Sequence, residues 1–136
     1  GWGQLVLIAH PDLSPASLDQ DTILKNYTAL SPDFQVWTYP SGHELRTLFE
    51  RDFLASKTQS PEAMIAPGPA EMLAAVSQNP TALGYILDSW VTSELVTIPV
   101  DSATQLALRQ PILAITRGDP QGVLREYLAC MQNWAP

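Results

Sequence analysis

Prolines and turn residues cut this chain into short pieces. Its 136 residues include 12 prolines, and each proline removes a backbone donor and fixes φ, so regular elements start or stop near it. The pieces between them alternate in period. Residues 4–9 (QLVLIA) form an apolar run closed by His10, Pro11 and Asp12, which reads as a buried strand entering a loop. Ser17 and Gln20 have capping-box spacing, and Leu18, Ile23, Leu24 and Tyr27 share one helical face, predicting a helix over 17–27. Residues 34–39 (FQVWTY) alternate apolar with polar and predict a second strand, ended by Pro40.

Leu45, Leu48, Phe49 and Phe53 then repeat at helical spacing, predicting a helix over 42–55. Residues 63–65 suit a short strand, and Pro69 suits the first turn of a helix reaching about residue 78, before Asn79 and Pro80. Residues 83–87, 94–100 and 112–116 read as further strands. Asp119 and Pro120 open a terminal helix with Val123, Leu124, Tyr127, Leu128 and Met131 on one side. Strands alternating with helices predict an α/β sheet with helices packed on it.

Size and charge narrow the function classes. A chain of this length makes one domain, 1–136, and 46% hydrophobic content supplies a core without a disulfide scaffold. Fourteen acidic residues against seven basic ones give a net charge of −7, which disfavours nucleic acid and acidic membranes as partners. No apolar run approaches the roughly 20 residues of a membrane-spanning helix, and no basic stretch precedes residues 5–9.

Candidate chemistry is sparse. His43 and Glu44 lack the second histidine that a zinc-protease helix needs, since Thr occupies position 47. His10 and Asp12 form a second imidazole–carboxylate pair, and only a fold bringing them beside His43 and Glu44 would create a four-ligand metal site. Otherwise they cap a loop. A phosphate loop, a nucleophile elbow and a partnered cysteine nucleophile are all missing, so no catalytic residue, metal or cofactor is assigned. Cys130 reads as a small buried apolar group. The sequon at Asn26 carries no weight without a secretory context. Trp90 follows a strand end, where ligands bind in open α/β sheets; the alternative, which the residues favour, is that it covers the core.

Residues 39–53 (YPSGHELRTLFERDF) resemble the R-P-D-G-S-G-T-R-E-L-F-E segment of phosphate-binding proteins of ABC transporters, members of the type 2 periplasmic-binding-protein superfamily. Residues 71–85 (EMLAAVSQNPTALGY) are similar to that family's E-M-V-x-x-V-x-x-N-P-x-A-I-G-Y run. Residues 111–132 (PILAITRGDPQGVLREYLACMQ) resemble its later strand and helix, and residues 5–12 its P-I-V-x-x-P-D strand. The matches follow the family's order. The resemblance implies a three-layer α/β sandwich, a mixed and mainly parallel sheet with helices on both faces, forming one periplasmic-binding-protein-like lobe. It also implies a periplasmic or extracellular location and a non-enzymatic role in binding a small solute.

In that family two lobes close on an anion, held by an arginine and by S-G-T hydroxyls and amides at a helix N-terminus. Carried onto this chain, the arginine falls on Tyr39, the aspartate on Ser41, the next glycine on Gly42, the serine on His43, the second glycine on Glu44 and the threonine on Leu45. Only Gly42 survives. Ser41 and Glu44 instead have S-x-x-E spacing, predicting a capping box worth about 1 kcal/mol that places a carboxylate where an anion would sit. The expectation is therefore an altered anion site, with a neutral or cationic solute near Tyr39, Ser41, Gly42, His43, Glu44 and Trp90. A two-lobed protein is about twice this size by domain arithmetic. A second lobe, self-association, or an interaction module that binds another chain through the former cleft face are the partner expectations.

Overall fold

A computed structural model describes residues 2–13, 18–111 and 117–133. In chain order the elements are β1 (Trp2–Ala9), α1 (Gln20–Thr28), β2 (Gln35–Thr38), α2 (Glu44–Leu48), β3 (Met64–Ile65), α3 (Pro69–Gln78), β4 (Ala82–Leu87), β5 (Val96–Ile98), α4 (Ser102–Ala107), β6 (Arg109–Pro111) and α5 (Gly122–Asn133). α2 runs on into a π-helical turn, Phe49–Phe53, and a 3₁₀ turn, Asp88–Trp90, follows β4. The strand expected at 112–116 and the capping serine expected at Ser17 lie outside the described residues. Asp19 caps α1 instead, accepting from the Thr22 amide at 2.8 Å.

The sheet order is β3-β2-β4-β1-β5, with β6 also on β1. β2 pairs parallel with β3 and with β4, whereas β1 pairs antiparallel with β4, β5 and β6. Of these six strands only β1 runs against the common direction, which gives the mixed α/β sheet expected, with two parallel pairings and three antiparallel ones through β1. Residues of β4 from Ala82 to Ile86 are all buried, as a strand covered on both faces requires.

Neighbours in β4 show both cover layers. Gly84 points at α3, where a Cβ would come within 2.8 Å of Met72 Sδ and 2.9 Å of Val76 Cγ2. Tyr85 points the opposite way, with its ring 4.0 Å from that of Phe49 and 6.0 Å from that of Tyr27 in α1. α3 thus covers one face, and α1 with the α2 segment covers the other. Asn26 is buried beneath the α1–β2 loop, where its Oδ1 accepts from the Asp33 and Phe34 amides at 2.8 and 3.1 Å. Its amide is thereby committed to the fold, not presented as a glycan acceptor.

Two elements escaped the sequence reading. Asp101 accepts from the Ala103 and Thr104 amides, both at 3.0 Å, and so starts α4. That helix carries few core residues, which left no periodic signal. β6 is polar and borrows its definition from β1. The terminal helix exists as α5, but the expected packing of its apolar side fails: Val123, Leu124 and Tyr127 are 81%, 48% and 61% exposed. Cys130 is exposed, against the expectation of burial, because no described residue covers that side. No helix among the described residues is long and apolar enough to cross a membrane.

The close approach at Gly84 yields a quantitative expectation. Gly84→Ala should cost roughly 1–3 kcal/mol through overpacking against Met72 and Val76, read as a lower midpoint in urea denaturation. An unchanged midpoint would show that α3 shifts freely on the sheet.

Candidate functional site

β2 and β4 lie side by side and point the same way, so the segments leaving them emerge at one end of the sheet. After β2 the chain turns sharply: the His43 amide donates to the Pro40 carbonyl at 3.1 Å, and Gly42 sits at φ +85°. This left-handed position in a four-residue turn is where glycine is free of Cβ strain. Tyr39, just before the turn, is wholly buried. Its ring stacks on the His43 imidazole, 4.3 Å between centroids and 11° between planes, and meets the edge of Tyr85 at 5.4 Å.

That stack aims the imidazole. His43 is the N-cap of α2, its Nδ1 accepting from the Leu45 amide at 3.2 Å while its carbonyl accepts from the Thr47 amide. The predicted capping box is therefore corrected. With His43 as N-cap, Glu44 is already the first helical residue and cannot reach back as a third-position carboxylate does. Ser41 lies two residues upstream, in the turn; both side chains are exposed and neither makes a hydrogen bond among the described residues. The third helical position belongs to Arg46, whose guanidinium donates to the Tyr39 carbonyl at 3.0 Å and to Glu50 Oε1 at 2.8 Å. One helix-start amide is satisfied from within, by an imidazole.

Beneath the turn lies a small polar cluster. Tyr85 and Thr38 share a buried hydroxyl–hydroxyl hydrogen bond of 2.7 Å. Burial pushes the Tyr85 phenol up to about 12, against the lowering effect of the Thr38 bond. The Tyr39 hydroxyl is buried with no partner, and burial raises its pKa above the ordinary tyrosine value. The charged pair Arg46 and Glu50 borders this cluster, and Tyr39, wholly buried, is a packing residue stacked on His43 that offers no surface to a ligand.

The remaining candidates separate. Trp90 ends the 3₁₀ turn after β4 and is 47% exposed. It shares the sheet end with the 39–44 turn, yet no hydrogen bond or ring contact joins it to His43. The Asp88 carboxylate in the same turn accepts from the Ser89 amide at 2.9 Å and from the Gln4 amide at 3.3 Å. His10 follows β1, the one reversed strand, and so lies at the opposite end of the sheet from His43. Its Nδ1 accepts from the Asp12 amide at 3.1 Å, a loop cap. The imagined four-ligand metal site does not assemble, and no metal-ligating group of three or more side chains exists among the described residues. Arg46, Thr38 and Tyr85 were missed by the sequence reading. Arg46 had a signal, its i,i+4 spacing to Glu50.

Solved structures resemble this architecture. An ABC-type phosphate transport receptor from Vibrio cholerae matches 75% of this chain and 48% of its own, with TM-score 0.62 and 17% identity. A protein from Clostridium perfringens described as a phosphate ABC transporter substrate-binding protein, with phosphate bound, matches 75% and 46%, with TM-score 0.63 and 21% identity. PstS from Borrelia burgdorferi matches 75% and 49%, with TM-score 0.60 and 13% identity. The fold is periplasmic-binding-protein-like. This chain spans about half the length of the structures it matches. No family model matches it, and neither does any curated protein. These three are described as a transport receptor, a substrate-binding protein and PstS.

Two expectations follow from the cluster. Tyr39→Phe should be neutral or stabilise by up to about 1 kcal/mol, since it removes an unpaired buried hydroxyl, whereas Tyr85→Phe should cost about 1 kcal/mol by orphaning Thr38. Chemical denaturation of the two variants checks this, and the reverse order would reject the hydrogen-bond assignment. His43→Ala should cost about 1 kcal/mol through loss of the cap, with His43→Asn retaining most of the stability. Equal losses in both would place the role of His43 in its stack on Tyr39 alone.

Proposed function

We propose that this chain is a solute-binding-protein-like lobe of an ABC-type transport system, extracytoplasmic and non-enzymatic, whose anion site has been altered. The observation that carries the reading is the divergence of the chain after adjacent parallel strands. β2 leads away toward β3, and β4 leads away toward β1 and β5. A crevice outside such carboxyl ends is the general ligand position in open α/β sheets. In this reading Ser41, Gly42, His43 and Glu44, which follow β2, and Trp90, which follows β4, would border such a crevice, with Tyr39 buried against His43.

Phosphate-like similarity does not bring phosphate with it. The Leu45 amide is engaged by His43, Arg46 is engaged by Glu50 and the Tyr39 carbonyl, and the exposed Glu44 carboxylate adds like-charge repulsion. A neutral or cationic small solute suits the ground better, with Trp90 as an aromatic wall. A second reading, an interaction module bound to a second lobe or a second copy, is favoured by the exposed Val123, Leu124 and Tyr127 on α5.

Calorimetry at low ionic strength should show no micromolar affinity for inorganic phosphate, while a thermal-shift screen of amines and sugars should find a stabilising solute whose effect is lost in Trp90→Ala. Micromolar phosphate binding would overturn the altered-site reading. A screen without any stabilising solute, together with concentration-dependent sedimentation, would select the interaction reading.

A further inference from the structure

We propose a second ligand site, separate from the β2–β4 crevice, that takes a small carboxylate bearing a flat apolar body. It is a trough of about 550 Å³ whose floor is the β1–β6 ladder and whose wall is α4. Trp2, Gln4 and Arg109 line the floor, and Ser102, Gln105 and Leu106 line the wall. The register pairs Gln4 with Arg109 and Trp2 with Pro111, which puts Trp2, Gln4 and Arg109 on one face of the ladder. Its volume lies within the range of small-molecule sites.

The charge pattern identifies the ligand class. The Arg109 guanidinium sits 5.5 Å above the Trp2 ring, a geometry that holds a cation in place without neutralising it. No carboxylate lies within ion-pair distance of Arg109 among the described residues, whereas Arg46 and Arg51 are both paired. Asp88 and Asp101, which bond to or adjoin trough residues, are turned to backbone amides: Asp88 to those of Gln4 and Ser89, and Asp101 to those of Ala103 and Thr104. An arginine in that setting presents a planar donor fork that matches a carboxylate bidentately. The apolar half of the ligand is set by Trp2 and Leu106, 60% and 66% exposed, which face the trough and gain by being covered. Gln105 and Ser102 add neutral polar groups, and Gln4 Nε2 ties the floor to the wall by donating to the Gln105 carbonyl at 2.9 Å.

The test uses phenylacetate as probe and benzylamine as its charge-reversed control, titrated into the full chain while amide chemical shifts are followed by NMR. Phenylacetate should bind saturably with a dissociation constant of roughly 0.1–1 mM, with shifts centred on residues 2–4 and 102–109, and benzylamine should not saturate. Arg109→Gln should weaken binding about tenfold or more at an unchanged melting temperature, and Arg109→Lys should also weaken it, because the planar fork is lost. No saturation below about 10 mM phenylacetate, equal binding of benzylamine, undiminished binding by Arg109→Gln, or shifts centred on residues 39–44 would each overturn the proposal. The last outcome would assign the carboxylate to the crevice, so failure here and failure of the solute-binding reading remain distinguishable.

Discussion

Tyr85 is the contact through which core and site become one structure. Its ring stacks on Phe49 at 4.0 Å and 9°, takes the edges of Tyr27 and Tyr39, and its hydroxyl meets Thr38 in the neighbouring strand. Aromatic contacts of this kind add to area burial because they fix ring orientation. Tyr39 in turn stacks on His43, and His43 caps α2. A buried side chain on β4 is thereby tied, through two ring contacts, to the start of α2. The geometry of the 39–44 turn is inherited from the core.

The reversed strand β1 organises the remainder. Because it alone opposes the common direction, its first residues lie beside the carboxyl end of β4, where Leu5 pairs with Leu87. The trough at Trp2 and the 3₁₀ turn carrying Trp90 consequently lie at the same end of the sheet, where Asp88 of that turn holds the Gln4 amide. His10, at the other end of the same strand, is excluded from both. One strand direction thus separates the two histidines and gathers two candidate ligand surfaces.

Much of this was legible in the chain because burial leaves a periodic trace. The apolar runs of β1 and β4 and the helical spacing of Leu45, Leu48, Phe49 and Phe53 announced elements that the structure contains. Caps were less legible. Ser41 and Glu44 satisfied a spacing rule, but the Gly42 turn moved the helix start two residues onward, and local spacing does not register a stack between Tyr39 and His43. α4 was invisible for another reason: its start is set by the Asp101 carboxylate and its faces are mostly exposed, so hydrophobic period carried no information. Arg109 and Trp2 lie 107 positions apart, and only the β1–β6 register joins them.

The arginines supply a reason for the two proposed sites to differ in the charge they would accept. A chain with net charge −7 repels anions on average, so anion capture depends on whether a local cation is left uncompensated. Arg46 stands within the first turn of α2, where an oxyanion would otherwise arrive, but Glu50 pairs with its charge and the Tyr39 carbonyl takes a second of its five donors. Arg109 rests on a tryptophan, which supplies a negative ring face yet no formal charge. The first arrangement consumes the cation for structure; the second leaves its outer edge available. On the two proposals, anion preference would follow the partner of each arginine more closely than the helix terminus, since a half-charge of helix dipole beside an exposed glutamate does not match a guanidinium with no ion-pair partner among the described residues.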